Sequence, residues 1–211
     1  MAIKLVALDL DETLLDGKLK ISDECVDTIR AVKANGVIVT LATGRMLKSA
    51  LPYARQLNID VPLITYEGAW VKNSMSGEEL YNRPVPGDLA REVMQFFNDN
   101  GVHYHTYFND NLCMESLTEE GRYYSGIAGI VPVLVPSLIE ALATEKPMKI
   151  LAVSYNEQKI LDMEAELNQR FGSRLYVTRS KPRFLEVMDP RATKADALQV
   201  IAQRYNIDQN E

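Results

Sequence analysis

Residues 3–11, IKLVALDLD, decide the fold. A near-continuous aliphatic run that ends in acid is the pattern of a parallel strand covered on both faces, since a strand buried between helices does not alternate with polar residues. Its carboxylates, Asp9 and Asp11, then emerge at the C-terminal end of the strand, where open parallel sheets bind ligands. Residues 37–45, VIVTLATGR, repeat the pattern: an apolar strand over 37–42, a Thr-Gly turn, and a helical segment after Arg45. Between the two strands Ser22 is placed to cap a helix, Ile21 and Val26 occupy staple positions, and Cys25, Ile29 and Val32 share one face before Gly36 ends the helix. Strand, helix, strand implies a right-handed parallel unit, so the expected class is α/β with a Rossmann-like parallel sheet.

Working outward, Asp16-Gly17 reads as the two-residue turn of a small hairpin beside the strand end. A third strand is expected over 62–66, then a turn at Glu67-Gly68 and a hairpin joining 69–71 to 79–81. The segment 83–87, RPVPG, interrupts both regular periods and marks a domain boundary. Beyond it the pattern predicts a helix over 88–99, strands over 102–108 and 111–115, mixed helical segments, a strand over 148–154, a helix over 156–170 and strands over 174–179 and 183–188. That is an α+β insert. A last helix spans 193–205, with Ala197, Leu198, Ile201 and Ala202 on its apolar face. The core domain is therefore read as 1–83 with 189–211, and the inserted domain as 84–188.

Composition narrows the function classes. With 46% hydrophobic and 25% charged residues the 211-residue chain is globular, and its net charge of −6 with scattered basic residues argues against a nucleic-acid partner. The N-terminal MAIKLVALDLDE becomes charged too soon for a signal segment or a membrane span, and the two cysteines, Cys25 and Cys113, lack CxxC spacing. A cytoplasmic protein with two buried thiols and no membrane partner is expected.

Two anions as close as Asp9 and Asp11 need a cation, and Mg²⁺, which prefers oxygen ligands, would shield the first carboxylate from a phosphate dianion it attacks. The second could protonate the leaving alcohol and later deprotonate water. An isolated D-x-D can equally be a turn cap or a solvated acid, so specificity comes from what surrounds it.

DLDETLLDG, a strand ending in Thr43-Gly44-Arg45, and Lys194 ahead of a helix together resemble the haloacid dehalogenase superfamily. The insert after the third core strand resembles the cap of its Cof-type sugar-phosphate phosphatases. The resemblance implies that Asp9 forms an aspartyl-phosphate and that Asp11 is the acid/base, both serving Mg²⁺. It implies that Thr43 and Gly44 hold the phosphoryl oxygens and that Lys194 neutralises charge between phosphate and nucleophile. The substrate it implies is a small phosphorylated metabolite, over which the cap closes to exclude water.

Three positions depart from the family. Glu12 stands where Gly is usual, Glu67 stands before Gly-Ala where Asn is usual, and the chain stops at 206–211 where a strand with a Gly-Asp-x-x-x-Asp pattern would begin. The last departure leads to the expectation of a truncated form lacking one metal carboxylate, with its first strand open along one edge and available for self-association. A phosphomutase or a catalytically impaired binding protein are the rival readings. His103 and His105 alternate on one strand face in HYHTYF and read as solvated rather than as ligands, while Tyr123 and Tyr124 read as packing.

Overall fold

The Ser22 hydroxyl accepts the Cys25 N–H at 3.2 Å, satisfying an amide that a helix start otherwise leaves bare, and this cap leads the chain from β1 (Leu5–Leu8) into α1 (Asp23–Ala34). The computed structural model describes residues 2–211. After α1 come β2 (Ile38–Leu41), α2 (Leu47–Gln56), β3 (Leu63–Thr65), β4 (Trp70–Lys72), β5 (Glu79–Asn82) and α3 (Gly87–Asp99). They are followed by β6 (His103–Phe108), β7 (Asn111–Met114), α4 (Glu119–Ala128), β8 (Val133–Leu134), α5 (Leu138–Ala141) and β9 (Ile150–Val153). The chain ends through α6 (Glu157–Phe171), β10 (Tyr176–Lys181), β11 (Phe184–Met188) and α7 (Lys194–Arg204). Two compact units result, one running to Arg83 and resuming over Arg191–Glu211, the other Pro84–Pro190.

In the first unit β1 pairs in parallel with β2, from Leu5 opposite Ile38 to Leu8 opposite Leu41, and a parallel bridge from Ala42 to Ile64 brings in β3. β4 and β5 continue antiparallel. Because successive residues of a strand face opposite ways, the sheet buries two layers. Val39, Leu41 and Leu63 pack with Ile29, Ala50 and Ala54 of α1 and α2, while Ala42, Ile64 and Val71 pack with Ala197 and Ile201 of α7.

Two local expectations are corrected here. The Asp16-Gly17 segment forms no ladder: the Asp16 N–H donates to the Lys20 carbonyl at 2.9 Å and the Asp16 carboxylate accepts the Lys18 and Lys20 amides, each at 2.8 Å, so the segment closes as a loop without paired strands. β1 is half-buried along its length, because it lies at the sheet edge and, among the described residues, no strand flanks its outer side. Among the described residues only the Glu211 carbonyl accepts amides there, from Lys4 and Leu5, with Lys4 Nζ ion-paired to Glu211 at 2.6 Å. Cys113 is buried as expected, but Cys25 is only partly so. No helix of the described residues is long and apolar enough to cross a membrane.

The second unit is a six-stranded sheet in the order β10-β11-β9-β6-β7-β8. One face buries Tyr104, Ile150, Ala152, Leu185 and Val187 under Phe97 of α3 and Ile160 and Leu167 of α6. The opposite face corrects the reading of the histidines. His105 is fully buried, its ring 4.1 Å from that of Tyr124 on α4, and neither of its nitrogens has a hydrogen-bond partner. His103 bonds the Thr118 hydroxyl through Nδ1, and close by Lys149 and Glu186 form a buried ion pair at 3.0 Å.

Burial holds the His105 imidazole well below the usual histidine range, with His103 and Lys149 adding to the effect. The neutral ring is therefore what the fold accepts. The unfolded imidazole titrates near 6.5, so the stability that depends on a neutral His105 is fully present above that pH and is lost as the pH falls below it. His105→Phe keeps the ring and removes two unpaired polar atoms, and it should raise stability by about 1–3 kcal/mol. Urea midpoints at neutral and mildly acid pH check this: the gain should be larger in acid, where the wild type weakens. A midpoint below wild type would show that the imidazole has an unrecognised partner.

Candidate active site

Beyond β1 the chain stays extended through Asp9 (φ −74°, ψ 152°) and Asp11 (φ −72°, ψ 132°), and Glu12 then turns it at φ 57°. Leu10 between them is fully buried, and alternation puts the acids on either side of it on the opposite face, out of the core. The turn is closed by the Leu15 N–H donating to the Leu10 carbonyl at 2.9 Å.

β2 supplies the second segment. Thr43 is fully buried, and its hydroxyl oxygen accepts the Arg45 N–H at 3.1 Å, so the group expected to meet a phosphoryl oxygen also closes its own turn. Arg45, in sequence only the end of a motif, emerges as a functional candidate. Its Nε donates to Asp11 Oδ2 at 2.8 Å and its Nη2 to Oδ1 at 2.6 Å, a fork that occupies both carboxylate oxygens. The Asp11 hydrogen bond raises the Arg45 pKa in spite of burial, and the guanidinium lies 5.4 Å from the centre of the Tyr53 ring.

The third segment begins at α7. Thr193 caps it, its hydroxyl oxygen accepting the Asp196 N–H at 3.0 Å, so Lys194 is the first helical residue. Its Nζ reaches Asp9 Oδ1 at 3.1 Å and Glu67 Oε2 at 3.4 Å. Burial lowers the Lys194 pKa, but the Glu67 charge and the Asp9 hydrogen bond raise it by more, leaving a firmly protonated ammonium.

Glu67 was noticeable in the sequence only as an atypical residue, and the structure places it in the site. It sits at φ 57°, where Asn is better tolerated, and its N–H donates to the Thr43 carbonyl at 3.1 Å. Its Oε1 stands 1.9 Å from where a side-chain carbon at Gly44 would lie, so a larger residue at 44 would push the Glu67 carboxylate aside. Gly68 is held as tightly: at φ +110° its missing side-chain carbon would lie 2.1 Å from the Thr193 carbonyl oxygen and 2.8 Å from Lys194 N. Asp9, Lys194, Glu67 and Gly44 thus form one continuous cluster, with Asp11 and Arg45 as a second pair on the same loops.

The groups expected to hold a metal, the Asp9 carboxylate and the Asp11 backbone carbonyl, are hard oxygens. Among the described residues no group of three His, Cys, Asp or Glu is arranged to hold an ion. Asp196 and Asp208 are occupied locally, accepting from the Thr193 hydroxyl at 2.8 Å and the Asn210 amide at 3.0 Å. The set fits Mg²⁺ in kind, because this ion commonly takes one or two protein oxygens and keeps water and phosphate oxygens for the rest.

The sequence pattern of a family described as haloacid dehalogenase-like hydrolase matches residues 6–211. A Streptococcus pyogenes serotype M6 protein with a provisional phosphatase name is 26% identical over 217 residues, covering 100% of this chain and 79% of that protein. The HMP-PP phosphatase of Serratia proteamaculans is 24% identical over 205 residues, 97% of this chain and 73% of that one. A solved haloacid dehalogenase-like hydrolase from Bacteroides thetaiotaomicron superposes with a TM-score of 0.87 at 25% identity, covering 98% of this chain and 78% of that one.

Proposed function

This chain belongs to the haloacid dehalogenase-like hydrolase family, and from that premise we propose that it is a Mg²⁺-dependent phosphatase of small phosphomonoesters such as sugar phosphates, working through a phospho-Asp9 intermediate. The observation that carries the reading is the Asp9 carboxylate at the end of β1 with the Lys194 ammonium 3.1 Å away. A carboxylate oxygen of Asp9 attacks phosphorus, the bond from phosphorus to the ester oxygen breaks, and the leaving alkoxide takes a proton. Water then attacks the phosphorus of the acyl phosphate, releasing phosphate and restoring Asp9. Lys194 balances charge that nucleophile and phosphoryl group share, and the Gly44 amide with the Thr43 hydroxyl supplies donors to phosphoryl oxygens.

Asp11 is the proton carrier in this scheme. Both of its oxygens accept from Arg45, which fixes where the carboxylate stands. A Mg²⁺ ion held by Asp9 and the Asp11 carbonyl would screen the negative charges of nucleophile and phosphate from each other. Support for a phosphatase comes from relatives with phosphatase names, one of which is named an HMP-PP phosphatase.

The test is phosphate release by the purified chain from a panel of sugar phosphates, with Mg²⁺ and with a chelator in its place. Release that requires Mg²⁺ supports the reading, and a folded sample that releases none with either addition overturns it. A second expectation concerns Arg45 as a positioning residue. Arg45→Lys keeps the charge but cannot make two parallel bonds to Asp11, so kcat should fall by roughly 10- to 100-fold. KM should change little, and steady-state kinetics separates the two.

A further inference from the structure

We propose that Glu67 is an internal anion that competes with the substrate's phosphoryl group for Lys194 and for the space over Gly44, and so sets the affinity of the site for phosphate. The inference rests on the phosphatase reading and concerns the same site. In the cluster of Asp9, Lys194, Glu67 and Gly44 the positive charge that a phosphoryl group would meet is that of Lys194, and Glu67 already holds that ammonium at 3.4 Å. The other Glu67 oxygen lies directly over Gly44, in the space that the absence of a side chain there leaves open. One carboxylate therefore covers both the cation and the glycine that were expected to receive phosphate.

The loop geometry keeps Glu67 there. Its own N–H is bonded to the Thr43 carbonyl and the preceding Tyr66 N–H to the Arg45 carbonyl at 3.0 Å, so the 66–68 loop is tied to the 43–45 turn on which Gly44 sits. Tyr66 is fully buried and Gly68 abuts Thr193, which fixes the loop at both ends. The side chain can swing away while its backbone stays. With Asp9 and Glu67 both negative and only Lys194 between them, an arriving dianion meets a cluster that is already net negative. Phosphate binds when Glu67 leaves, and the work of displacing it appears as weaker binding.

The experiment is titration calorimetry of inorganic phosphate into the wild-type chain and into Glu67→Gln, with Glu67→Asn as a second neutral variant better suited to φ 57°. Both substitutions should tighten phosphate binding by on the order of tenfold, and the gain should shrink with added salt, which a merely loosened loop would not cause. In turnover, KM should fall in both variants. Equal or weaker phosphate binding by both variants, or no binding by either, overturns the proposal. The two readings fail separately. Tighter phosphate binding without hydrolysis of any phosphomonoester keeps the competing anion and removes the phosphatase, whereas hydrolysis with unchanged phosphate affinity does the reverse.

Discussion

Asp9→Asn should abolish phosphate release, lowering kcat by ~10³-fold or more, while leaving the fold intact. The amide has the shape of the carboxylate and keeps an oxygen that can accept from Lys194, so the hydrogen bond now seen at 3.1 Å has a substitute. What it loses is the negative charge that makes the oxygen a nucleophile. The stability change should be small. Both side chains are more than a third exposed, at 38% and 37%, and exposed ion pairs contribute less than about 1 kcal/mol. Steady-state rates and a urea midpoint on the same sample separate the outcomes. A variant that retains more than a tenth of the wild-type rate would exclude Asp9 as the nucleophile, and one that loses rate and midpoint together would assign Asp9 a structural role.

The parts of this molecule that were legible in the sequence are those written in apolar period and in caps. The strand over 37–42, the helix begun at Ser22 and the pairing of 69–71 with 79–81 all rest on local chemistry, and β2, α1 and the β4–β5 hairpin lie where that chemistry puts them. Asp9 and Asp11 stood out as acids at a strand end, whereas the role expected of Lys194 came from the resemblance of three ordered motifs and not from its own spacing. What the sequence did not reveal is settled by partners distant along the chain. Arg45 acts on Asp11 across 34 positions, and Lys194 meets Asp9 across 185. Nothing in TGR announces the first contact. Glu12 and Glu67 stood out as departures, and the structure gives the reason other residues are usual there: both sit at φ 57°, which Gly and Asn adopt more readily. His105 was misread because HYHTYF alternates as a half-exposed strand does, and only the packing of α4 over that face buries the histidine.

Gly68→Ala should be the most disruptive single-methyl change in the first unit. The added carbon would lie 2.1 Å from the Thr193 carbonyl oxygen and 2.3 Å from its carbon, and backbone atoms cannot rotate aside as a side-chain tip can. The φ of +110° is a second obstacle, since alanine avoids it even in open space. The start of α7 must therefore move from the 66–68 loop by on the order of 1 Å, and α7 also buries Ala197 and Ile201 against Ile64 and Val71. A loss of roughly 3 kcal/mol or more is expected, together with displacement of Lys194 from Asp9. Lys194→Ala is the control that divides the two effects: it removes the same ammonium from a 37% exposed side chain and should leave the urea midpoint near wild type. Both variants should then lose catalysis while only Gly68→Ala loses stability. If Gly68→Ala instead unfolded at the wild-type midpoint, the close approach of loop and helix would not be what places Lys194. The cluster would then have to be held from the Asp9 side, through the half-buried β1 and the turn that Glu12 makes.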